Sequence, residues 1–256
     1  MSTLSLRGPE RLVVRQHRLV LWVSGALALA GIALVIGAWL FTSSAADDFS
    51  GTGCSVDHIV PGCGIQARHF LSIEMYYRRI FDYAGLVMAA LPTLIGLFVA
   101  GPVIGRELED GTYRLSWSQS VSPARWLAAR LAVPGALIAG VTVLSAVFAW
   151  GWSRTYETDY PAKSTEPLVY GVMGPVPVAS ALLGLALGAL IALLLRRALA
   201  SMTLTVVVSL ALIAAREAVR PDGAFWPLQL TETAILLVLA AAVTALAFRV
   251  LRRYHA

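Results

Sequence analysis

The sequence predicts an all-α polytopic membrane protein with six transmembrane helices, and three observations carry that prediction. The chain of 256 residues is 58% hydrophobic and only 14% charged, with a mean hydropathy of +0.73, whereas soluble domains are roughly half apolar and a quarter charged. Six apolar runs, each close to the ~17 to 25 residues a helix needs to cross hydrocarbon, fall at 19–41, 84–104, 127–150, 171–195, 198–215 and 229–250. Nearly all the charge is collected in the segments between them. Because no water reaches the hydrocarbon, each run must satisfy its own backbone hydrogen bonds, and helix is the only reading for isolated runs of this length. Residues 1–256 read as a single transmembrane domain.

The first element precedes the first span. Residues 7–18 mix four arginines with Leu12, Val13 and Val14, the composition of a short amphipathic helix on an anionic leaflet; a plain topogenic tail is the alternative. The first span is expected to remain uncleaved, since its apolar stretch exceeds the ~7 to 15 residues of a signal-peptide core. The fourth and fifth runs meet at Arg196 and Arg197, and a charged pair at a bilayer centre would cost roughly 3 kcal/mol per arginine on insertion scales. A tight hairpin at the membrane surface removes that cost.

Orientation follows from the basic residues. Most of the 20 fall on one side: Arg7, Arg11, Arg15 and Arg18, then Arg106, Arg114, Arg125 and Arg130, then Arg196 and Arg197, and finally Arg249, Arg252 and Arg253. That side is expected to be cytoplasmic, with both termini on it, in the plasma (inner) membrane. The net charge of +5 is thus read as topology, and no nucleic-acid partner is expected.

The outer loop, 42–83, opens polar with Thr42, Ser43, Ser44 and Gly51-Thr52-Gly53, then turns aromatic at helical spacing through Phe70, Ile73, Tyr77, Ile80 and Phe81. It reads either as a lip over an outer mouth or as an ordinary interfacial anchor. Cys54 and Cys63, the only cysteines, are expected to form a disulfide on the oxidising side, with Pro61-Gly62 turning the chain back. Cys54, His58, Cys63 and His69 can be drawn as a zinc site, but their spacing fits no standard pattern, and no metal is expected.

Between the second and third spans lies the longest inner connection, the loop 105–126. Glu107, Glu109 and Asp110 precede Gly111 and Thr112, where glycine can bend a helix and threonine can cap the next; a short helix about 113–119 then precedes a turn at Ser120-Val121-Ser122-Pro123. Arg125, Trp126 and Arg130 lead back to the bilayer.

Glu107-x-Glu109-x-Gly111-Thr112, followed by Ser120-Val121-Ser122 and the basic Arg130, resembles the signature of type-2 ABC exporter permeases. The run from Leu91 to Thr112 is also similar to actinobacterial permeases of that group. The resemblance is strong over 91–131 and topological elsewhere. It implies a cytoplasmic coupling helix that docks on a separate ABC ATPase subunit, with Glu107, Glu109, Gly111, Thr112, Ser122 and Arg125 at the ATPase-coupling site. It also implies a second permease copy or paralogue, and ATP and Mg bound by the partner subunit.

Other motifs narrow the function. The sequence lacks a GxxxxGK[ST] phosphate loop, HExxH and GxSxG, so no cofactor and no catalytic residue is assigned to this chain, and a membrane-bound enzyme is disfavoured. No ionisable residue lies deep in a span, which argues against a proton-coupled pump. Glu232, one turn inside the sixth span, reads as snorkelling outward or as a polar contact on an exit path. Gly184 and Gly188, with Ala192, form a small-residue stripe for close helix packing, within the subunit or across a dimer. The leading expectation is an exporter permease moving a lipophilic or peptide-like substrate by alternating access among membrane lipids. The alternative is a non-transporting sensor or immunity protein that binds an ATPase.

Overall fold

A computed structural model describes residues 18–54, 56, 61–114, 122–155, 166–221 and 223–253. Every regular element among them is helical: α1 (Arg18–Gly51), α2 (Gly64–Phe98), a π-helical segment (Val99–Gly105), the single turn α3 (Arg106–Glu109), α4 (Pro123–Thr155), α5 (Pro167–Val172), α6 (Val176–Leu195), α7 (Ala198–Val219) and α8 (Phe225–Arg253). Six stretches of these residues are long and apolar enough to cross a membrane, including Gly64–Glu109 as one continuous span. The all-α polytopic class is therefore the observed one. The expected amphipathic helix at 7–18 lies outside the described residues except for Arg18.

Two stretches differ from the sequence expectation. The polar segment after the first run is helix rather than flexible loop, continuing to Gly51. Its hydroxyls bond back to carbonyls of the preceding turn, Thr42 to Ala38 at 2.7 Å, Ser43 to Leu40 at 2.9 Å and Ser44 to Phe41 at 2.9 Å, so these side chains do not compete with the helix. The fourth run is not one helix from 171. It breaks at Met173–Pro175, where Gly174 takes a positive φ of 68° and the prolines at 175 and 177 supply no N–H to an incoming helix.

The chain divides into two compact units, one from Ala90–Thr142 and Pro175–Ala256 and the other from Ala26–Ala89 and Val143–Gly174. In the second unit aromatic rings form the core. Phe81 stacks on Phe148 at 4.1 Å and Phe49 on Phe70 at 4.6 Å, and the Tyr77 hydroxyl donates to the Gly151 carbonyl at 3.1 Å. Arg154 lies over the rings of both Trp39 and Trp150, a pair of cation–π contacts. Arg78 binds Asp82 at 3.0 Å and Glu166 at 2.5 Å, fixing the approach to α5.

In the first unit α6 is the central element, packed along α8, α7 and the π segment. Its approach to α2 is a backbone contact. A Cβ built on Gly184 would fall 2.3 Å from the Pro92 carbonyl oxygen, and one on Gly188 would fall 2.2 Å from that of Gly96. The two glycines thus face α2 of the same chain. Between helices in lipid there is no hydrophobic drive to associate, so close van der Waals contact through small residues has to supply the attraction.

Gly188→Leu should therefore lower stability by about 1–3 kcal/mol or more, read as a fall in the thermal melting point in detergent. Gly140→Ala, where a Cβ meets nothing within 4 Å, should be neutral or stabilising by up to about 1 kcal/mol. Equal melting of the two variants would contradict the packing account.

Candidate functional site

The region expected to carry function begins where α2 gives way to the π segment. Pro102 lies inside it and has no N–H for an α-helical bond, while its ring crowds the carbonyl one turn back. The wider turn accommodates this, and the Arg106 N–H reaches the Gly101 carbonyl, five residues back. The same turn brings Gly101 and Gly105 against α7. A Cβ on Gly105 would meet the Ala198 Cα at 2.9 Å, and one on Gly101 would meet the Met202 sulfur at 2.4 Å.

α3 follows and ends at Asp110 and Gly111. Gly111 takes φ +70° with open space around it, so the glycine is required by the left-handed backbone and not by crowding. The Thr112 hydroxyl points back to the Glu107 carbonyl at 3.4 Å; it closes the preceding turn instead of capping the next. Tyr113 and Arg114 begin a further helical turn, and the remainder of the expected coupling helix, with Ser120 and Val121, lies outside the described residues. Ser122 starts α4: its hydroxyl accepts the Arg125 N–H at 3.3 Å, with Pro123 at the first helical position, a serine N-cap followed by proline.

Two acids of this region bond to neighbouring elements, Glu107 from a partly buried position and Glu109 from an exposed one. Glu107 ion-pairs with Arg130 through Oε1, and its Oε2 accepts the indole N–H of Trp126 at 3.1 Å. Trp126 is only 3% exposed. It belongs to a core formed with Val99, Val103, Leu190, Leu193 and Leu251. Glu109 makes a second link, its Oε2 accepting the backbone N–H of Ala198 at 2.9 Å. Ala198 opens α7, and its N-cap residue Arg197 offers no side-chain bond, so the Glu109 carboxylate fills the capping role from 89 residues away. A carboxylate at a helix N-terminus gains from both the unsatisfied N–H and the helix dipole.

Arg125, Thr112 and Ser122 are exposed, as are Arg106, Arg114, Arg196 and Arg197. Arg196 holds a positive φ of 52°, and the two arginines form the whole connection between α6 and α7. The site therefore presents hydroxyls, cations and the exposed Asp110 outward, while Glu107 and Glu109 tie together α3, α4 and α7. Sequence reasoning placed both acids in the loop but did not find Trp126 and Ala198 as their partners. The Arg196-Arg197 interruption between two apolar runs was the available signal for the second of these links.

In the other unit Cys54 and Cys63 form a disulfide, with Cα atoms 5.6 Å apart. Both thiols are consumed by it, so the zinc set drawn from sequence has no thiolate to offer; His58 lies outside the described residues. Among the described residues no cluster of three His, Cys, Asp or Glu side chains is placed to hold a metal.

Loss of the long-range cap should be local. Glu109→Ala is expected to cost about 1 kcal/mol and to speed amide exchange over the first turn of α7, with Glu109→Gln intermediate because its neutral oxygen still accepts the bond. Unchanged exchange in Glu109→Ala would remove the cap from the account.

No curated protein and no solved structure matches the chain. Residues 23–220 match the family described as ABC-2 membrane transporter related, a stretch that contains the first five spans, the acid clamps and the α6–α7 turn. The chain belongs to that family, as a membrane permease subunit of the ABC transporter class that associates with an ABC ATPase subunit.

Proposed function

We propose that this permease drives export, taking a lipophilic or peptide-like substrate from the inner face outward by alternating access. It works as a dimer with a second copy or a paralogue, and the partner ATPase subunits hold the ATP and Mg. The face carrying Arg106, Arg125 and the Arg196-Arg197 turn is cytoplasmic in this reading, in the plasma membrane with both termini inside, because basic residues concentrate there.

The observation that carries the reading is the pair of carboxylate links. Glu107 joins α3 to α4 through Trp126 and Arg130, and Glu109 joins it to α7. A push on the loop between α3 and α4 is thereby shared among the second, third and fifth spans, and small displacements become relative tilts of packed helices. In this division of labour Gly111, Thr112, Ser122 and Arg125 supply the surface that meets the ATPase. Glu107 and Glu109 pass the movement inward.

The test uses the complex with its ATPase reconstituted in nanodiscs. Gly111→Val forces a β-branched residue into the left-handed region, at about 1–2 kcal/mol, and should lower coupled ATPase activity about tenfold with membrane insertion unchanged. Gly111→Asn tolerates the same backbone and should keep most of the activity. Glu107→Ala should uncouple while leaving the ATPase bound. Full coupling in both Gly111→Val and Glu107→Ala would overturn the reading and favour a non-transporting sensor or immunity protein that only binds the ATPase.

A further inference from the structure

At the other end of the first unit, away from the Arg196-Arg197 turn, a shallow, open crevice with an accessible volume of about 40 Å³ lies between α2, α6, α7 and α8. We propose that it binds one zwitterionic phospholipid with a primary amine in its head, the phosphate resting on Arg216, the ammonium facing Glu232 and an acyl chain lying along the open slot. The inference is independent of the direction of transport.

Depth places the polar part of the crevice at headgroup level. At ~1.5 Å per residue, Arg216 stands about 28 Å along α7 from Arg197, close to the ~30 Å thickness of the hydrocarbon. Below it the lining continues through Ser209 and Leu212 on α7 and through Leu183 and Leu187 on α6. Ser180 to Leu187 spans about 10 Å along α6, so the slot is elongated along the membrane normal, as a lipid chain is. Lipid tails are as apolar as leucine, so these walls choose by shape. Choice by chemistry falls to the mouth.

There, Arg216 donates through Nε and Nη2 to Glu232 Oε1 and through Nη1 to the Ser180 hydroxyl at 3.1 Å. A guanidinium carries five N–H groups, and among the described residues these bonds leave one N–H on each terminal nitrogen. Two such donors on a planar fork match two oxygens of a phosphate. Glu232 holds the fork in place, and both side chains stay partly open, 24% and 19% exposed. The site bears one positive and one negative charge. A phosphate with a neighbouring ammonium complements it charge for charge, whereas a purely anionic head would face Glu232 unpaired.

The experiment offers the purified protein an equal mixture of phosphatidylethanolamine and phosphatidylglycerol with matched chains and reads retained lipid by native mass spectrometry. The wild type should keep one phosphatidylethanolamine per chain in preference to phosphatidylglycerol. Arg216→Gln should reduce occupancy about tenfold. Ile213→Trp should do the same from a half-exposed position on the crevice wall, without touching the ion pair. Glu232→Gln should shift the preference toward phosphatidylglycerol, which a merely structural ion pair would not do. Retention of no lipid by the wild type, preference for phosphatidylglycerol, or undiminished occupancy in Ile213→Trp would each overturn the proposal.

Discussion

The backbone crossing of α2 and α6 is the contact on which the first unit depends. Gly96 and Gly188 bring the two helices so close that a single added carbon on either has no room. Water drives no association inside the hydrocarbon, and the gain comes from atoms in contact along the crossing and from the absence of side chains to be ordered there. With α6 seated in this way, its remaining faces are left for α8, α7 and the π segment. Wider residues at 96, 184 or 188 would move α6 outward and separate the surfaces that Trp126, Leu127 and Leu193 close.

The π segment after α2 is a second determinant. Pro102 prevents a regular α-helical path, and Gly101 and Gly105 lie against Met202 and Ala198. The turn sets the direction in which α3 leaves the span, and so decides which carboxylate meets which partner. Glu107 is turned to Trp126 and Arg130, Glu109 to the start of α7. Glu107 is partly buried and needs such partners, since leaving a buried carboxylate unpaired would cost several kcal/mol. The outward surface carries cations and hydroxyls beside Glu109 and Asp110, whose side chains are readily solvated.

The second unit is held by different means. Stacked rings, the Arg154 contacts with Trp39 and Trp150, and the Arg78 ion pairs combine apolar bodies with polar tips, the chemistry suited to a membrane–water boundary. The Cys54–Cys63 disulfide closes the connection between α1 and α2, a cross-link that restricts the unfolded chain.

By itself the sequence determined what the bilayer dictates. Run length and apolarity set the number of spans, Arg196 and Arg197 divided the fourth from the fifth, and the pairing of the only two cysteines could be read directly. Those features are local, because each apolar run has to close its own hydrogen bonds whatever surrounds it. Tertiary structure decided the rest. It turned Gly184 and Gly188 toward α2. It also joined Glu109 to Ala198 and Arg216 to Glu232. Each of these depends on which surfaces meet across many residues of chain, and neither periodicity nor spacing records that.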